Sequence, residues 1–348
     1  MSFAEQLNTT RSAINDRFLR SLRSLRVSVL DRCNLRCRYC MPEEDYKWLP
    51  QQDLLTNKEI VHAVESFSSL GVDRVRITGG EPLLRGDLSE LIASLSEIGS
   101  IRDIALTTNA TRLAQYAEDL HMAGLQRITV SLDTLDPGRM ESMTGRRVMT
   151  KVREGLETAA AIQFDSIKIN TVVIRGFNDD ELCELVSFAK SIGAELRFIE
   201  YMDVGGATHW SMDQVVGRNE ILKILTNHFG TITQASIRGS VPAESFTLED
   251  GTRFGIISSV SNPFCSTCDR SRLTADGMWY LCLYASNGFD LRSKLRRKEN
   301  LSDFIKDVWE NREDRGAESR LKEPQRDILY NLTDLKLDPH REMHKRGG

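Results

Sequence analysis

Short apolar runs alternate with helical segments from Leu25 to Tyr201, and this alternation limits the fold more than any other feature. The runs are rich in β-branched residues, which is typical of buried strands, and apolar residues recur at helical spacing between them. One strand for each helix indicates a parallel sheet wound by helices. We therefore predict an α/β fold, an incomplete (β/α)6 barrel with its chemistry at the carboxyl ends of the strands. The predicted strands are residues 25–30, 72–78, 101–108, 127–132, 166–174 and 195–201.

Helix signals separate these strands. Thr56 and Glu59 form a predicted capping box, and the helix that follows ends at Gly71. Asp87 is expected to begin the next helix. Further helices are predicted over residues 112–123, 150–162, 179–192 and 219–229.

The 348 residues exceed a typical single domain and allow a large α/β domain with a smaller addition. We predict an N-terminal helical segment over residues 1–24, the barrel over 25–235 and a C-terminal region over 236–348. Beyond Asp290 the sequence is strongly charged, with one short amphipathic candidate helix between Phe304 and Trp309. We expect this terminal part to be mobile.

The net charge of −4 argues against a globally basic, nucleic-acid-binding surface. An anionic substrate would therefore have to meet a local cluster of cations. No apolar run reaches the length of a membrane span, and residues 1–24 lack the apolar core of a secretory signal. We expect a cytoplasmic protein without membrane or nucleic-acid partners. Seven cysteines grouped as three, one and three suggest metal binding rather than disulfides.

Three of these cysteines, Cys33, Cys37 and Cys40, directly follow the first predicted strand with the spacing C-x3-C-x2-C. Thiolates are soft ligands, suited to zinc, copper(I) or iron–sulfur clusters. A structural zinc site needs four ligands, and the nearest downstream histidine, His62, lies in a predicted helix. A 4Fe-4S cluster held by three cysteines leaves its fourth iron open to a small molecule. A zinc site completed from afar and a plain cysteine core remain the alternatives.

The second set, Cys265, Cys268 and Cys282, has the spacing C-x2-C-x13-C and again lacks a fourth ligand. We predict a second 4Fe-4S cluster with an open iron, and half of a zinc knuckle is the alternative. Arg270 and Arg272 follow the first pair, and their planar guanidinium groups suit a phosphate or a nucleobase edge.

Polar residues occur at or near the ends of the predicted strands, where they would line one mouth of a barrel. Lys168 is the most informative, because a lysine on a buried strand costs free energy unless an anion meets it. A lysine stem that reaches solvent is the alternative. The other polar or strand-end residues are Gly79, Gly80, Thr107, Thr108, Asn109, Ser131, Asp133, Asn170, Glu200, Tyr201 and Met202.

The first cysteine motif, with Tyr39 before its last cysteine, resembles the signature of the radical S-adenosylmethionine (SAM) enzymes. A longer series of motifs resembles the molybdenum cofactor biosynthesis protein A family, the GTP 3′,8-cyclases. The motifs run in order from about Asp16 to Cys282, and a terminal Gly-Gly follows. They are LRVSVLDRCNLRCRYCMP, RITGGEPLLR, LTTNA, VSLDT, KIN, EYMDVG and CSTCDRSRL.

The resemblance implies that one cluster binds SAM, whose cleavage gives a 5′-deoxyadenosyl radical, and that the second binds the guanine of GTP. The radical would take the ribose 3′ hydrogen, and C3′ would then attack guanine C8. The product, 3′,8-cyclo-7,8-dihydro-GTP, would be passed to the next enzyme of the molybdopterin pathway. An electron donor and a homodimer are implied in the same way.

The resemblance also assigns residues. SAM would be contacted by Tyr39, Gly80, Ser131 and Met202. GTP would be held by Arg26, Arg76, Thr107, Lys168, Arg270, Ser271 and Arg272. The residues expected to act in the radical step are Arg270, Arg272, Gly347 and Gly348.

The sequence departs from the family's usual pattern at Leu30, where threonine is usual, at Ala110, where glycine is usual, and at Lys345-Arg346, where an apolar residue is common.

Two other functions stay open at this point. One is a radical SAM enzyme that modifies a peptide or protein and carries an auxiliary cluster. The other is a non-enzymatic zinc-binding adaptor.

Overall fold

A computed structural model describes residues 13–43, 45–235 and 239–347. The six predicted strands are present, each within about two residues of its expected limits. They are β1 (Ser24–Ser28), β2 (Arg74–Thr78), β3 (Asp103–Thr108), β4 (Arg127–Ser131), β5 (Ser166–Val173) and β6 (Glu195–Glu200).

Helices connect these strands. They are α1 (Asn57–Ser68), α2 (Leu88–Ser96), α3 (Leu113–Met122), α4 (Pro137–Thr144), α5 (Met149–Ile162) and α6 (Leu182–Ser191). The predicted capping box at Thr56 and Glu59 begins α1. Helix α4 was not predicted, although Asp136 caps it, Pro137 occupies its first turn and Gly145 ends it with φ of 71°. These start and stop signals identify a helix that apolar spacing alone does not reveal.

The C-terminal third adds one helix and six strands, followed by four more helices. They are α7 (Arg218–Phe229), β7 (Ile232–Gln234), β8 (Glu244–Leu248), β9 (Arg253–Ile257), β10 (Arg270–Leu273), β11 (Met278–Tyr280), β12 (Phe289–Asp290), α8 (Leu291–Arg296), α9 (Leu301–Glu310), α10 (Gly316–Leu321) and α11 (Leu332–Leu337). Helix α9 is the predicted amphipathic segment.

All strands of the described residues belong to one sheet, in the order β12-β11-β10-β1-β2-β3-β4-β5-β6-β9-β8-β7. Strands β1 to β6 are parallel, as predicted. Strand β9 adds in parallel to β6, and β10 adds in parallel to β1. The segment between β9 and β10 therefore runs from one edge of the six-stranded sheet to the other. Cys265 and Cys268 lie in this crossing segment.

Two expectations about the chain termini are wrong for the described residues. Residues 13–23 are not helical, because the Asp16 carboxylate accepts hydrogen bonds from the backbone N–H groups of Phe18 and Arg20 and forms a buried ion pair with Arg20. The described residues after Asp290 pack against the barrel rather than form a solvent-exposed tail. Trp309 of α9 is fully buried in the core shared with the barrel.

The C-terminal tail is buried even though it is charged. Arg346 is 1% exposed, and its guanidinium donates to the carbonyl oxygens of His340 and Leu283 at 2.6 and 2.8 Å. It also lies over the ring of Tyr280, 4.3 Å from the ring centre. A charged side chain can be buried when carbonyl oxygens satisfy its donors. The departure at Lys345-Arg346 is therefore accommodated by partners distant in the sequence.

Among the described residues, we find no helix with both the length and the apolar character that crossing a membrane requires.

Candidate active site

A cavity of about 610 Å³ lies inside the barrel, and both cysteine sets line it. Strand alternation explains its wall, because every second side chain of a barrel strand points inward. The predicted site residues that line the cavity are Arg26, Cys33, Cys37, Tyr39, Cys40, Arg76, Gly80, Thr107, Ser131, Lys168, Met202, Cys265, Cys268, Arg270, Arg272 and Cys282. The structure thus brings together residues that are up to 256 positions apart, from Arg26 to Cys282.

Two predicted residues, Ser271 and Gly347, do not line the cavity. Ser271 does not line the cavity; it is 1% exposed and lies beside the core residue Leu25 in the sheet register. Because Arg270 and Arg272 point inward, alternation turns Ser271 to the other face, so the geometry does not support its GTP contact. Gly347 touches the cavity arginines through its carbonyl group, as described below. Gly348 lies outside the described residues.

The first cysteine loop is held to the ends of β2 and β3 by backbone contacts. The Gly80 N–H donates to the carbonyl of Leu30 at 2.7 Å, and a Cβ at Gly80 would collide with the carbonyl of Arg32. Gly80 therefore admits the backbone of the cysteine loop itself, and its N–H is already used in this contact. Close backbone approach is a common reason for glycine at such a position.

Glu81 links the same loop to β3, and sequence reasoning missed it. Its buried carboxylate accepts from the Thr108 hydroxyl, the Asn109 N–H and the Leu83 N–H at 2.7 to 3.0 Å. Burial raises the pKa of Glu81 to about 6, although these hydrogen bonds oppose the shift. The Asn109 amide in turn donates to Asn34 of the cysteine loop at 2.9 Å. The signal that could have identified Glu81 is an acidic residue directly after Gly-Gly in the sequence.

The departure at Ala110 has a direct structural consequence. Ala110 is fully buried and has φ of 61°, a left-handed conformation that glycine adopts without strain. Its N–H donates to the Thr108 hydroxyl at 3.0 Å. The alanine therefore keeps the turn that the usual glycine would form, at a cost of about 1 kcal/mol.

The cysteines of the first set are half-buried, and their thiols lie close to one another. Burial raises the pKa of Cys33 to about 11, and it raises the pKa of Cys37 and Cys40 further, with the neighbouring thiols adding to the shift. Thiols in this state lose their protons when a positively charged iron centre binds. The backbone N–H of His344, in the C-terminal tail, donates to Cys40. A set of three soft thiols that become thiolates when iron binds fits a multinuclear iron–sulfur cluster.

Tyr39 is fixed by the end of β4. Its hydroxyl donates to the Asp133 carboxylate at 2.8 Å, and Asp133 also accepts from the Val172 N–H at 2.9 Å. Burial raises the pKa of Asp133 to about 6. The aromatic residue of the cysteine motif is thereby held at the cavity wall beside Ser131.

The second cysteine set lies beside arginines. Burial alone would raise the pKa of Cys268, but the charges of Arg270 and Arg312 outweigh burial and lower it to about 7. The Arg270 guanidinium lies 3.8 Å from the Cys268 sulfur and stacks over the ring of Phe264. In the described part of the chain, no three His, Cys, Asp or Glu side chains are placed to hold a single metal ion. Neither cysteine set thus forms a ready tetrahedral zinc site.

Cations cover the inner wall away from the first cysteine loop. Arg76 and Arg127 share the carboxylate of Asp103, and Lys168 and Arg197 share that of Glu195, with Lys168 at 3.7 Å and Arg197 at 2.8 Å. Four cations therefore meet two carboxylates. We missed Arg127 and Arg197, but strand alternation could have found them, because each is two residues from another inward-facing position.

Arg26 and Arg272 extend this positive wall. They are register neighbours in β1 and β10, and Arg76 is the neighbour of Arg26 in β2. Burial, together with the charges of Arg270 and Arg76, lowers the pKa of Arg26 to about 10. The predicted local cluster of cations is thus present in a protein whose net charge is −4.

The C-terminal tail enters this cluster. The Gly347 carbonyl accepts from Arg26 at 3.1 Å and from Arg272 at 2.9 Å, and the Arg346 carbonyl accepts from Arg272 at 3.0 Å. Gly347 has φ of 70°, and a Cβ there would overlap the methyl group of Thr78. A residue other than glycine does not fit this position without movement of β2 or the tail.

Comparisons with known proteins agree with this geometry. The family model of the radical SAM superfamily matches residues 27–189, and that of Molybdenum Cofactor Synthesis C matches residues 194–318. GTP 3′,8-cyclase 1 of Mycobacterium tuberculosis is 51% identical, covering 97% of this chain and 96% of the relative. A GTP 3′,8-cyclase of Aquifex aeolicus is 47% identical, covering 88% of this chain and 94% of the relative.

A solved structure extends the comparison to the fold. The crystal structure of Streptococcus suis SuiB bound to S-adenosylmethionine has a TM-score of 0.61 and 17% identity, and the match covers 86% of this chain and 67% of SuiB. At this identity the likeness concerns the fold alone, and it supports the partial barrel.

Proposed function

Because this chain belongs to the GTP 3′,8-cyclase family of radical SAM enzymes, we propose that its barrel cavity holds SAM and GTP between two 4Fe-4S clusters. The activity is that of the family, the radical conversion of GTP to 3′,8-cyclo-7,8-dihydro-GTP. It is a lyase reaction and the first step of molybdenum cofactor biosynthesis. The single observation that supports the arrangement best is that two cysteine sets and a wall of cations line the same cavity.

The first cluster would be held by Cys33, Cys37 and Cys40. When bound, this cluster and SAM supply the 5′-deoxyadenosyl radical. Tyr39, Gly80, Ser131 and Met202 line the adjoining part of the cavity and are the proposed SAM contacts. The Asp133 carboxylate fixes the Tyr39 hydroxyl, and the backbone contacts of Gly80 fix the loop, so this part of the chain is ordered around the thiols.

The cations of β1, β2, β5 and β10 are the proposed GTP contacts. A triphosphate carries several negative charges, and guanidinium groups bind phosphate oxygens through paired hydrogen bonds. Arg76 and Lys168 already share carboxylates with other cations, so the wall keeps excess positive charge after its internal ion pairs are counted. Thr107 lies on β3 between these two strands and adds a hydroxyl group.

Cys265, Cys268 and Cys282 would hold the second cluster, whose open iron would be available to the guanine. Arg270 and Arg272 lie beside this set and on the same cavity wall as Arg26. This placement would leave the ribose between the two cysteine sets. The terminal glycines would contribute to the radical step through the contacts of Gly347 with these arginines.

Several further assignments are proposals that the family alone supports. They are a homodimer, a cytoplasmic location, an external electron donor and transfer of the product to the next enzyme of the pathway.

Anaerobic incubation with SAM, reductant and GTP tests the function. We expect 5′-deoxyadenosine and a cyclised nucleotide in equal amounts by mass spectrometry. A protein that contains zinc but neither iron nor sulfide after anaerobic purification would instead support the adaptor. Cleavage of SAM without any change to GTP would favour an enzyme acting on a peptide.

Lys168→Ala is expected to raise the KM for GTP by about tenfold or more and to change the KM for SAM little, because a charge-assisted contact contributes about 1.5 to 3 kcal/mol. Arg26→Ala should also raise the KM for GTP and change the KM for SAM little. Steady-state kinetics with each substrate varied in turn measures both constants. Loss of SAM binding with normal GTP binding in Lys168→Ala would show that this assignment is wrong.

The same lysine predicts how GTP binding depends on pH. Burial lowers the pKa of Lys168 to about 8, and the charge of Arg197 adds to the shift. The ammonium is therefore charged below about pH 8 and loses its charge above it. We expect the KM for GTP to rise as the pH increases from 7 to 9, and to do so less steeply in Lys168→Arg, which stays charged. Equal pH profiles for the two proteins would contradict this role.

A further inference from the structure

A buried ionic group lies behind the second cysteine set. It consists of Asp16, Arg20 and Arg312, whose side chains are at most 2% exposed. The Asp16 carboxylate accepts from Arg20 at 2.6 Å and lies 3.4 Å from Arg312. Asp16 and Arg20 come from the N-terminal segment, and Arg312 lies just after α9.

Both arginines contact the cysteine segment directly. Arg20 donates to the carbonyl of Cys265 at 2.8 Å, and Arg312 donates to the carbonyl of Cys268 at 3.0 Å. A second nitrogen of Arg312 lies 3.7 Å from the Cys268 sulfur, within hydrogen-bonding distance of a thiolate. Two guanidinium groups therefore contact the backbone of the predicted ligand set and the sulfur of Cys268.

The packing leaves Arg312 little freedom. Its guanidinium stacks on the indole of Trp309 at 4.4 Å, and that indole donates to the carbonyl of Arg20 at 3.2 Å. A planar group fixed by stacking and by hydrogen bonds keeps one orientation. Arg312 is thus preorganised toward the Cys268 sulfur.

The charges in this group do not balance. Two guanidinium groups face one carboxylate, and the nearest other carboxylate on the segment, that of Asp269, pairs with Arg74 at 2.5 Å. One positive charge is left over in a region from which water is excluded. Arg270, on the cavity side of Cys268, adds another cation. Such a charge interacts with a neighbouring cluster more strongly than a surface charge does.

We propose that Arg312 is a positioning residue for the second iron–sulfur cluster, which it stabilises in the reduced form by holding the Cys268 thiolate and placing a buried positive charge behind it. This inference rests on the proposed second cluster. Reduction adds one electron and one negative charge to a cluster that three thiolates already make anionic. Hydrogen bonds to ligand sulfurs and nearby charges both tune cluster potentials.

The test uses the full chain with Cys33, Cys37 and Cys40 replaced by alanine, so that only the second cluster contributes to the spectra. The midpoint potential is measured by electron paramagnetic resonance during titration with dithionite. Arg312→Gln is expected to lower the midpoint potential of the second cluster. At the potential where the parent variant is half reduced, the ratio of reduced to oxidised cluster should therefore fall by about tenfold. That is the order expected for one unit charge at about 10 Å in an effective dielectric constant of about 20.

Matched variants separate charge from general disruption. Arg312→Lys keeps the charge and should retain most of the parent's potential. Arg297→Gln removes an arginine that is 64% exposed, pairs with Glu299 and does not line the cavity, and it should leave the potential unchanged. Asp16→Asn removes the single negative charge of the group and should therefore raise the midpoint potential. The amide oxygen that remains can still accept from the backbone N–H groups of Phe18 and Arg20, so the local structure is kept.

The outcomes are distinguishable. No iron in the parent variant would contradict the second cluster and this inference with it. A cluster in the parent and an unchanged potential in Arg312→Gln would contradict only the role of Arg312. A further outcome is that Arg312→Gln keeps a native circular dichroism spectrum and still loses the cluster. In that case, retention of the cluster in Arg312→Lys supports the positioning role of Arg312. Loss of the cluster in both variants overturns it.

Discussion

Gly347→Ala is expected to lower formation of the cyclised nucleotide by about a hundredfold and to leave iron content and SAM binding unchanged. The residue has φ of 70°, which costs an alanine about 1 kcal/mol, and the new methyl group would overlap that of Thr78, which adds about 2 kcal/mol. A total of about 3 kcal/mol reduces the docked population of the tail by about two orders of magnitude.

The docked tail matters because of what it contacts. The Gly347 carbonyl accepts from Arg26 and Arg272, two of the proposed GTP contacts, and the His344 N–H donates to Cys40 of the first set. The tail thus spans from one cysteine set to the arginines beside the other. We expect deletion of Gly347 and Gly348 to leave SAM and GTP binding nearly unchanged and to abolish most product formation.

A second substitution tests whether the clash with the Thr78 methyl group causes the loss of product formation in Gly347→Ala. Thr78→Ser removes the methyl group that the new Cβ would meet and keeps the hydroxyl group. The double variant Gly347→Ala with Thr78→Ser should therefore form more product than Gly347→Ala alone. Mass analysis of the nucleotide, with binding of each substrate measured separately, decides this. Full product formation by the truncated enzyme would show that the tail has no role in the reaction.

Replacing Cys33, Cys37 and Cys40 together by alanine is expected to abolish cleavage of SAM and to reduce the iron content after reconstitution from about eight to about four atoms per chain. The three thiols lie in one short loop, and the other described cysteines that line the cavity belong to the second set. Alanine at Cys265, Cys268 and Cys282 should also leave about four irons, but in the first cluster.

Cys183→Ala is the matched control. Cys183 lies on α6, half-buried against the outside of the core and away from the cavity. Its removal should change neither the iron content nor the activity. An iron content that does not fall in the triple variant of the first set would contradict the two-cluster arrangement.

Much of the barrel could be predicted because its signals are local. The alternation of β-branched runs with helical spacing predicted all six parallel strands to within about two residues. The capping box at Thr56 and Glu59 located α1. The cysteine spacing and the Gly-Gly after β2 located the loop that faces the cavity. Each of these signals lies within a few residues of the structure that it predicts, so no tertiary contact was needed to read it.

The errors arose where burial depends on distant partners. The charged C-terminal tail was expected to be mobile, but Arg346 is buried where it donates to the carbonyl of Leu283 and stacks on the ring of Tyr280. Residues 13–23 were expected to be helical, but Asp16 and Arg20 are buried instead against Arg312 and the carbonyl of Cys265, which lie far along the chain. A sequence read alone assigns such charges to solvent, because their partners are not adjacent.

The amino-acid sequence by itself determined the parallel barrel, the two sets of three cysteines and the inward-facing Lys168, since strand period and ligand spacing are properties of short segments. Only the tertiary structure decided that Arg26, Arg76 and Arg272 become neighbours in the sheet, and that Gly347 reaches Arg26 and Arg272. These outcomes depend on sheet register and on chain ends meeting across more than 300 residues, which no local pattern encodes.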